Sequence, residues 1–287
     1  MKVKAAAKIN LMLDILRKLD NGYHSLFMIM QSVDLCDTVA VEKNSENKII
    51  IKCDKEGIPL DNKNIAYKCA ERFFDHFGES GRGITINIEK RIPAAAGIAG
   101  GSADGAAVLY CLNKIYGKNL TDFELAAIGS RVGADIPFSL IGGTAAAFDT
   151  GSVVAPLPPL ADCKIVIVTP PQEVSTPAAY AQFDRLTRVR HTDRTGMLNA
   201  AVCGDYKRMC SMCANVFEQA VEVPRRPHIK SVMRKFGADA ACMSGSGPTV
   251  FGLFSDSEKA EQCVEKLKES YERVYLCAPL KKGIIEI

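Results

Sequence analysis

Residues Pro93 to Ala107 read PAAAGIAGGSADGAA and form the most distinctive segment of the chain, which we call the glycine loop and the start of the helix behind it. Glycines at 97, 100 and 101 allow positive φ angles and let a ligand come close to the backbone. Apolar residues recur behind them at helical spacing, so the loop is predicted to open a helix. The first N–H groups of a helix lack intrahelical partners and carry partial positive charge, which favours an anion there. Ser102 lies where an N-cap is expected, and its hydroxyl suits a phosphate oxygen or a metal ion.

Neither standard phosphate loop matches this stretch. A P-loop places a lysine and then Ser or Thr after its last glycine, whereas Gly101 is followed by Ser102 and Ala103. The dinucleotide-binding fingerprint has another glycine spacing, which argues against a nicotinamide-dependent oxidoreductase. Taken alone, the loop fits phosphate binding and a tight strand-to-helix turn about equally. Asp104 counts slightly against phosphate, because a carboxylate in the first turn can itself satisfy the helix dipole.

Composition and charge limit the classes of protein. The chain has 287 residues, of which 47% are hydrophobic and 24% charged, as is typical of a globular protein with one large domain or two ordinary ones. The net charge of +3 is too small to indicate a nucleic-acid partner, and the chain has no tryptophan that could stack on bases. No apolar stretch approaches the length of a membrane span. We therefore expect neither nucleic acid nor membrane as a partner.

The eleven cysteines lie in apolar runs with no signal peptide ahead of them, so we expect free thiols and a cytoplasmic protein. Cys210 and Cys213 form a CxxC motif, with Cys203 upstream. A zinc site requires a second such pair or nearby histidines, and the four histidines lie elsewhere. We favour thiols buried against a helix.

The pattern of apolar residues predicts a mixture of strands and helices. Strands are expected over 7–16, 24–35, 38–42, 48–52, 84–88, 164–169, 240–243, 249–254 and 273–278. Helices are expected over 64–77, behind the glycine loop, from Thr121 with a capping box to Glu124, and over 205–221, 229–236 and 257–270. The turn Asp20-Asn21-Gly22 predicts a hairpin, and 185–194 predicts a mobile loop. Prolines within 156–159 mark the expected boundary between two lobes, over 1–156 and 157–287.

Two further stretches bracket the glycine loop, AKINL at 7–11 and SGSGPTVF at 244–251. In this order the three motifs resemble the GHMP kinase superfamily of small-molecule kinases. GYHSL at 22–26, Gln31 and GADIPF at 133–138 are similar to the branch that acts on a cytidine-diphosphate-linked methylerythritol. The resemblance covers essentially the whole chain, and five motifs in order make it specific.

The resemblance implies a two-lobed α+β GHMP kinase fold. Its N-terminal lobe would be ribosomal-S5-domain-2-like and bind ATP, and its C-terminal lobe would be the GHMP α+β lobe. The implied reaction is ATP-dependent phosphorylation of the 2-hydroxyl of the cytidine-linked alcohol, with both substrates in the cleft between the lobes. The implied partner is this small molecule, and we expect a monomer or weak homodimer. The loop at 244–248 is expected to brace the glycine loop.

The catalytic pair implied by the resemblance is Lys8 and Asp135. An aspartate can accept the hydroxyl proton, and a neighbouring lysine keeps the carboxylate ionised and offsets charge on the γ-phosphoryl group. Without the resemblance, Lys8 fits a solvated strand end and Asp135 a helix N-cap ahead of Pro137. With it, we favour catalysis.

The resemblance also implies the binding residues. Those expected to bind ATP are Pro93, Ala94, Ala95, Ala96, Gly97, Ile98, Ala99, Gly100, Gly101, Ser102 and Ala103 at the phosphates, and Asn64 beside the nucleoside. Those expected to bind the alcohol are Asn10 near the reacting hydroxyl, Tyr23 and Tyr180 on the two faces of the cytosine, His24 at its edge, and Thr176 at the diphosphate or methylerythritol. Without the resemblance, residues 22–24 are a hairpin turn with two amphipathic side chains. Mg²⁺ is expected with the phosphates, and Ser102 is its one candidate ligand.

The loop departs from the usual family pattern at Ala99, where glycine is commoner, and in the bland run 94–96. Two alternatives stay open: a GHMP kinase for another alcohol, such as homoserine or mevalonate, and a nucleotide-binding regulator without catalysis. The motif at 22–24 favours a substrate that carries a base. The presence of both Lys8 and Asp135 argues against the regulator.

Overall fold

The computed structural model describes residues 1–79 and 83–287. The strands are β1 (Lys2–Lys18), β2 (His24–Lys43), β3 (Ile49–Cys53), β4 (Ile84–Glu89), β5 (Thr144–Asp149), β6 (Val153–Pro156), β7 (Lys164–Val168), β8 (Ala214–Asn215), β9 (Ala240–Met243), β10 (Val250–Phe254), β11 (Val274–Cys277) and β12 (Ile284–Glu286). The helices are α1 (Ile65–His76), α2 (Gly100–Ile115), α3 (Asp122–Gly129), α4 (Ile136–Ile141), α5 (Thr176–Phe183), α6 (Arg194–Val202), α7 (Tyr206–Met212), α8 (Arg226–Lys235) and α9 (Ser257–Lys268), with a 3₁₀ turn at Val216–Gln219.

The first sheet is built around the long antiparallel pair β1 and β2. The predicted turn at 20–22 is confirmed, and the Leu19 N–H closes it by donating to the Tyr23 carbonyl at 2.7 Å. The predicted break between 24–35 and 38–42 is wrong, because β2 is continuous there. Ala6 pairs with Cys36 and Ala7 with Val33, so two residues of β2 bulge out and the strand bends without stopping.

The remaining strands extend this sheet in the order β12-β1-β2-β4-β3, with β5 on β2, β6 on β5 and β8 on β1. Strands β8 and β12 lie beyond residue 156, yet both pair with β1. The C-terminal part of the chain therefore completes the first sheet. The division into 1–156 and 157–287 stays a prediction.

The second sheet has the order β11-β7-β10-β9 and is apolar on both faces. Along β7, Val166 and Val168 pack with α8 and α9, whereas Ile165 and Ile167 point into the main core. This alternation follows from the two-residue period of a strand. The nearly continuous apolar run that predicted a buried strand at 164–169 reflects burial on both sides.

Helix α2 lies against α1 and the first sheet through small side chains. Ala103, Ala106 and Ala107 are fully buried, and a Cβ on Gly105 would lie 2.8 Å from the Cys69 Sγ of α1. Small residues therefore let the helix approach its neighbours closely, which fixes where its N-terminus lies.

The predicted helix over 205–221 is correct only for α7. The chain then forms β8 and the 3₁₀ turn, because Asn215 holds it in another geometry. The Asn215 carboxamide donates to the carbonyls of Met243 and Gly245, each at 2.8 Å, and accepts from the Phe217 N–H. Helices α4 to α6 and strands β5, β6 and β12 were not predicted.

The cysteines agree with the expected burial only in part, because Cys213 is half-buried and Cys203 is exposed. All eleven are free, Cys210 is buried in α7, and burial raises its pKa to about 11. Over 1–79 and 83–287, no group of three or more His, Cys, Asp or Glu side chains is arranged to hold a metal ion. Within the same ranges, the helices are all too short or too polar to cross a membrane.

Candidate active site

The site is a cavity of about 790 Å³, walled by β1, β2, the glycine loop, the start of α2, the residue ahead of α4, and α5. It brings together most of the predicted residues. Those that line it are Lys8, Tyr23, His24, Pro93, Ala94, Ala95, Ala96, Gly97, Ala99, Gly100, Gly101, Ser102, Asp135, Thr176 and Tyr180. Four predicted residues, Asn10, Asn64, Ile98 and Ala103, do not line the cavity.

Lys8 and Asp135 enter this cavity from different parts of the chain. Lys8 is buried on β1, and its Nζ donates to Asn10 Oδ1 at 2.7 Å. Burial lowers the pKa of the Lys8 ammonium, and the nearby Asp135 carboxylate opposes that change. Asp135 occupies the N-cap position of α4, but its side chain makes no capping hydrogen bond. The carboxylate is therefore not committed to the helix and faces the same space as the lysine.

Asn10 supports Lys8 from behind. It is fully buried, and its Oδ1 accepts from both the Lys8 ammonium and the Gly245 N–H, the latter at 2.9 Å. The Ser244 hydroxyl also lies 3.3 Å from the Asn10 N–H, which donates to it. The structure thus joins the first motif to the last one, 235 residues apart.

The glycine loop has a strained backbone that the sequence did not reveal. Ala95, Gly97 and Ala99 have φ angles of 51°, 75° and 60°. The N-cap of α2 is Ala99 in the left-handed conformation, so the prediction of Ser102 as N-cap is wrong. Ser102 is the third residue of the helix, and it lines the cavity. Its position still suits a phosphate oxygen or a cation.

The loop at 244–248 braces the glycine loop as expected. The Ser244 hydroxyl donates to the Gly97 carbonyl at 3.0 Å. A Cβ on Gly97 would lie 2.5 Å from the Ser244 carbonyl oxygen and 2.9 Å from that of Gly247. Only glycine allows this approach, since both neighbours are backbone atoms.

A buried cluster of three ionisable side chains beneath the loop was missed in the sequence. Its position in the first turns suggested that Asp104 faces the N-terminus of the helix. In the structure its carboxylate instead bonds to a buried lysine. Its Oδ2 accepts from Lys90 Nζ at 2.8 Å, and Lys90 also bonds to Asp37. Burial raises the pKa of Asp104 to about 8, Lys90 lowers it and Asp37 raises it further. The partners are 14 and 67 residues away from Asp104, too far for any local pattern.

The far end of the cavity carries aromatic rings and a carboxylate. The His24 ring stacks on Tyr180, with centroids 4.6 Å apart and planes at 18°. Its Nε2 lies 2.6 Å from Asp184 Oδ1, and the other oxygen of that carboxylate accepts from Lys18 at 2.5 Å. The rings of His24 and Tyr180 are too close for a base to fit between them. A base that contacts Tyr180 must therefore contact a part of the tyrosine that His24 does not cover. Tyr23, two-thirds exposed, stands at the mouth.

Asp184 is a candidate site residue that sequence reasoning missed. A signal was present, because Asp184 follows Tyr180 by four residues and so lies on the same face of a helix turn. The predicted Thr176 does reach the site, and its hydroxyl lies 3.0 Å from that of Ser246.

Asn64 is used differently from the expectation. It is the N-cap of α1: its Oδ1 accepts from the Ala66 N–H at 2.9 Å and its amide donates to the Pro59 carbonyl at 2.7 Å. The neighbouring Ile65 lines the cavity instead. A contact between Asn64 and the nucleoside of ATP stays a prediction.

Comparison with known proteins identifies the family. The model of the GHMP kinases N terminal domain matches residues 64–143, and that of the GHMP kinases C terminal matches 206–273. A 4-diphosphocytidyl-2-C-methyl-D-erythritol kinase of Clostridium botulinum is 42% identical over 279 residues, spanning 96% of this chain and 99% of the relative. The chain belongs to the GHMP kinase family. Another GHMP kinase of the same name, from Caldicellulosiruptor bescii, is 42% identical and spans 96% of this chain and 97% of its own.

Solved structures of the GHMP kinase family agree with this fold. The crystal structure of a 4-(cytidine 5'-diphospho)-2C-methyl-D-erythritol kinase is 30% identical, has a TM-score of 0.81 and covers 97% of this chain and 99% of its own. A homoserine kinase of Cytophaga hutchinsonii, 20% identical, also has a TM-score of 0.81 and covers 100% of this chain and 97% of its own. At that identity the likeness to the homoserine kinase shows the fold alone. The expected two-lobed α+β GHMP kinase fold is confirmed.

Proposed function

We propose that this chain transfers the γ-phosphoryl group of ATP to the 2-hydroxyl of 4-diphosphocytidyl-2-C-methyl-D-erythritol, a step in making isoprenoid precursors. One observation carries the proposal: a single cavity joins Lys8 and Asp135, the glycine loop and the aromatic end around His24. Relatives with this printed activity match nearly the full length of the chain. Each part of the reaction then has a place in the cavity.

The chemical step uses the two charged groups at the centre. Asp135 accepts the proton of the 2-hydroxyl as the oxygen attacks the γ-phosphorus, and the bond between that phosphorus and the bridging oxygen of ADP breaks, so that ADP leaves. Lys8 offsets the negative charge that develops on the transferred group, and Asn10 holds the ammonium in place at 2.7 Å. Burial makes this charge more effective, because water screens it less.

The glycine loop receives the phosphates of ATP. Its small residues leave the N–H groups at the start of α2 accessible from the cavity, where the helix dipole favours an anion. Bound Mg²⁺ supplies further neutralisation of the phosphate charge. Ser102, which lines the cavity beside the start of α2, is the side chain that would help to hold this ion next to the phosphates.

The base of the alcohol lies at the aromatic end in this proposal. Tyr23, His24, Tyr180 and Asp184 all line this end of the cavity, and aromatic rings next to hydrogen-bonding groups suit a flat nitrogen base, whereas homoserine and mevalonate have nothing to place there. Tyr23 at the mouth covers the base, and Thr176 lies beside the diphosphate. A cytoplasmic location and a monomer or weak homodimer stay predictions.

A direct test compares substrates. The protein is supplied with ATP and Mg²⁺ and offered the cytidine-linked alcohol, homoserine or mevalonate, and ADP release is followed by a coupled assay. We expect turnover with the cytidine-linked alcohol and a new phosphate ester at its 2-hydroxyl by phosphorus NMR. Preferred turnover of either other alcohol, or ATP binding without turnover of any, would overturn the proposal.

A further inference from the structure

The glycine loop has a backbone conformation that its own sequence does not favour. Within 93–99, two alanines and one glycine have positive φ. Alanine at positive φ is strained and persists only where the surroundings hold it. The loop at 244–248 holds one side through Gly97. The Lys8 N–H of β1 also donates to the Ile98 carbonyl at 3.1 Å, which leaves the residues directly ahead of the loop and behind it to be considered.

The charge cluster of Lys90, Asp37 and Asp104 touches both ends. Asp37 Oδ1 accepts from the N–H groups of Arg91 and Ile92, at 2.6 and 2.8 Å, directly ahead of the loop. Asp104 lies one turn into α2, directly behind the loop. The Lys90 ammonium bonds to both carboxylates, so one side chain links the entrance to the exit.

Gly100 lies between this cluster and the cavity. Gly100 lines the cavity, and a Cβ placed on it would lie 3.4 Å from Lys90 Nζ and 2.9 Å from Ile92 Cγ2. Lys90 thus lies directly behind the first turn of α2, which carries the N–H groups offered to the phosphates.

Stability alone is a poor reason for this arrangement. Two carboxylates share one ammonium in a site where Lys90, Asp37 and Asp104 have 3%, 0% and 5% of their side chains exposed. Asp104 Oδ1 is buried without a hydrogen-bond partner among residues 1–79 and 83–287. Apolar side chains of similar volume commonly fill such a space at no loss of stability.

We propose that Lys90 is a positioning residue for phosphate binding, which fixes the entrance of the glycine loop through Asp37 and its exit through Asp104. Lys90 itself does not line the cavity. The proposal rests on the proposed use of ATP, but not on the identity of the alcohol.

The test measures the Kd and KM of ATP, the KM of the alcohol and the melting temperature for three variants. Lys90→Met and Asp104→Ala break the link, and we expect each to weaken ATP binding about tenfold with the KM of the alcohol nearly unchanged. Asp104→Asn keeps an oxygen for Lys90 and should retain most of the ATP affinity. The control, Lys118→Met, breaks another partly buried ion pair, in which Lys118 Nζ lies 2.9 Å from Glu79 Oε1, and should lower only the melting temperature.

A merely structural role predicts that Lys90→Met and Asp104→Ala behave like the control, with a lower melting temperature and an unchanged Kd for ATP. That result would overturn the proposal. If Lys90→Met does not fold, the comparison of Asp104→Ala with Asp104→Asn decides, because equal ATP affinity in those two variants also refutes it. Wild-type protein that binds ATP but ignores the cytidine-linked alcohol would refute the proposed substrate and leave these ATP measurements valid.

Discussion

Gly97→Ala is the sharpest perturbation of the contact between the two glycine-rich loops. The new Cβ would lie 2.5 and 2.9 Å from two backbone oxygens, at a φ of +75°. An alanine in the left-handed region costs roughly 1–2 kcal/mol. Overpacking against atoms that cannot rotate away adds roughly 1–3 kcal/mol. We therefore expect a total loss of roughly 2–5 kcal/mol in the free energy of unfolding.

Gly204→Ala is the matched control, because Gly204 has a φ of +66° and nothing within 4 Å of its Cβ position. It carries the backbone cost without the clash, so we expect roughly 1–2 kcal/mol. Urea unfolding measures the loss in the free energy of unfolding for both variants, and the KM of ATP is measured for both as a test of function. Relief of the clash requires the loops to separate, so the KM of ATP should rise in Gly97→Ala alone. Equal losses of stability and equal ATP affinity in the two variants would refute the role of this contact.

Three further outcomes are expected. Asp135→Asn should lower kcat at least about a hundredfold, as loss of a general base does, while ATP still binds by calorimetry; normal turnover would remove Asp135 as the base. Tyr23→Ala should raise the KM of the cytidine-linked alcohol about tenfold and Tyr23→Phe much less, because the ring stacks and the hydroxyl does not; an unchanged KM in both would place the base elsewhere. Burial lowers the pKa of Lys8 from its ordinary 10.5, so the ammonium loses its charge at a lower pH and kcat should begin to fall below pH 10.5 as the pH rises. Lys8→Arg stays charged over this range and should lack the decline. A decline that persists unchanged in this variant would belong to another group.

Local signals in the sequence were reliable wherever the chain makes its own contacts. The turn at 20–22 and the helix that begins after Asn64 were predicted from a few adjacent residues. The capping box between Thr121 and Glu124 was predicted in the same way and is present in full. Each depends on hydrogen bonds between residues close in sequence, which a single sequence displays.

Three of the failures involve partners distant in the chain. Ser102 was taken as N-cap because nothing local indicates that Ala99 adopts φ 60°. The helix expected over 205–221 stops because Asn215 bonds to the carbonyls of residues 243 and 245. Asp104 was assigned to the helix dipole because Lys90 and Asp37 come from other elements. Tertiary contacts decided these positions, and local propensity was too weak to resist them.

The candidate site divides in the same way. Most of its residues were found through motifs, but the hydrogen bonds between them were not predicted. The bond between Asn10 and Gly245 and the one between His24 and Asp184 each join segments more than 150 residues apart. The likeness to a family supplied the membership of the site. The structure supplied the supporting contacts.

The pairing of β1 with β8 and β12 has a consequence for synthesis of the chain on the ribosome. Residues 3–5 of β1 pair with 284–286, about 280 positions later. At about 5–20 residues per second, β1 waits roughly 15–55 seconds for that neighbour. During this interval one edge of a long apolar strand has no partner, and such edges promote association with other chains. The nascent chain should therefore depend on chaperones for most of its synthesis, and slower translation should lengthen that dependence.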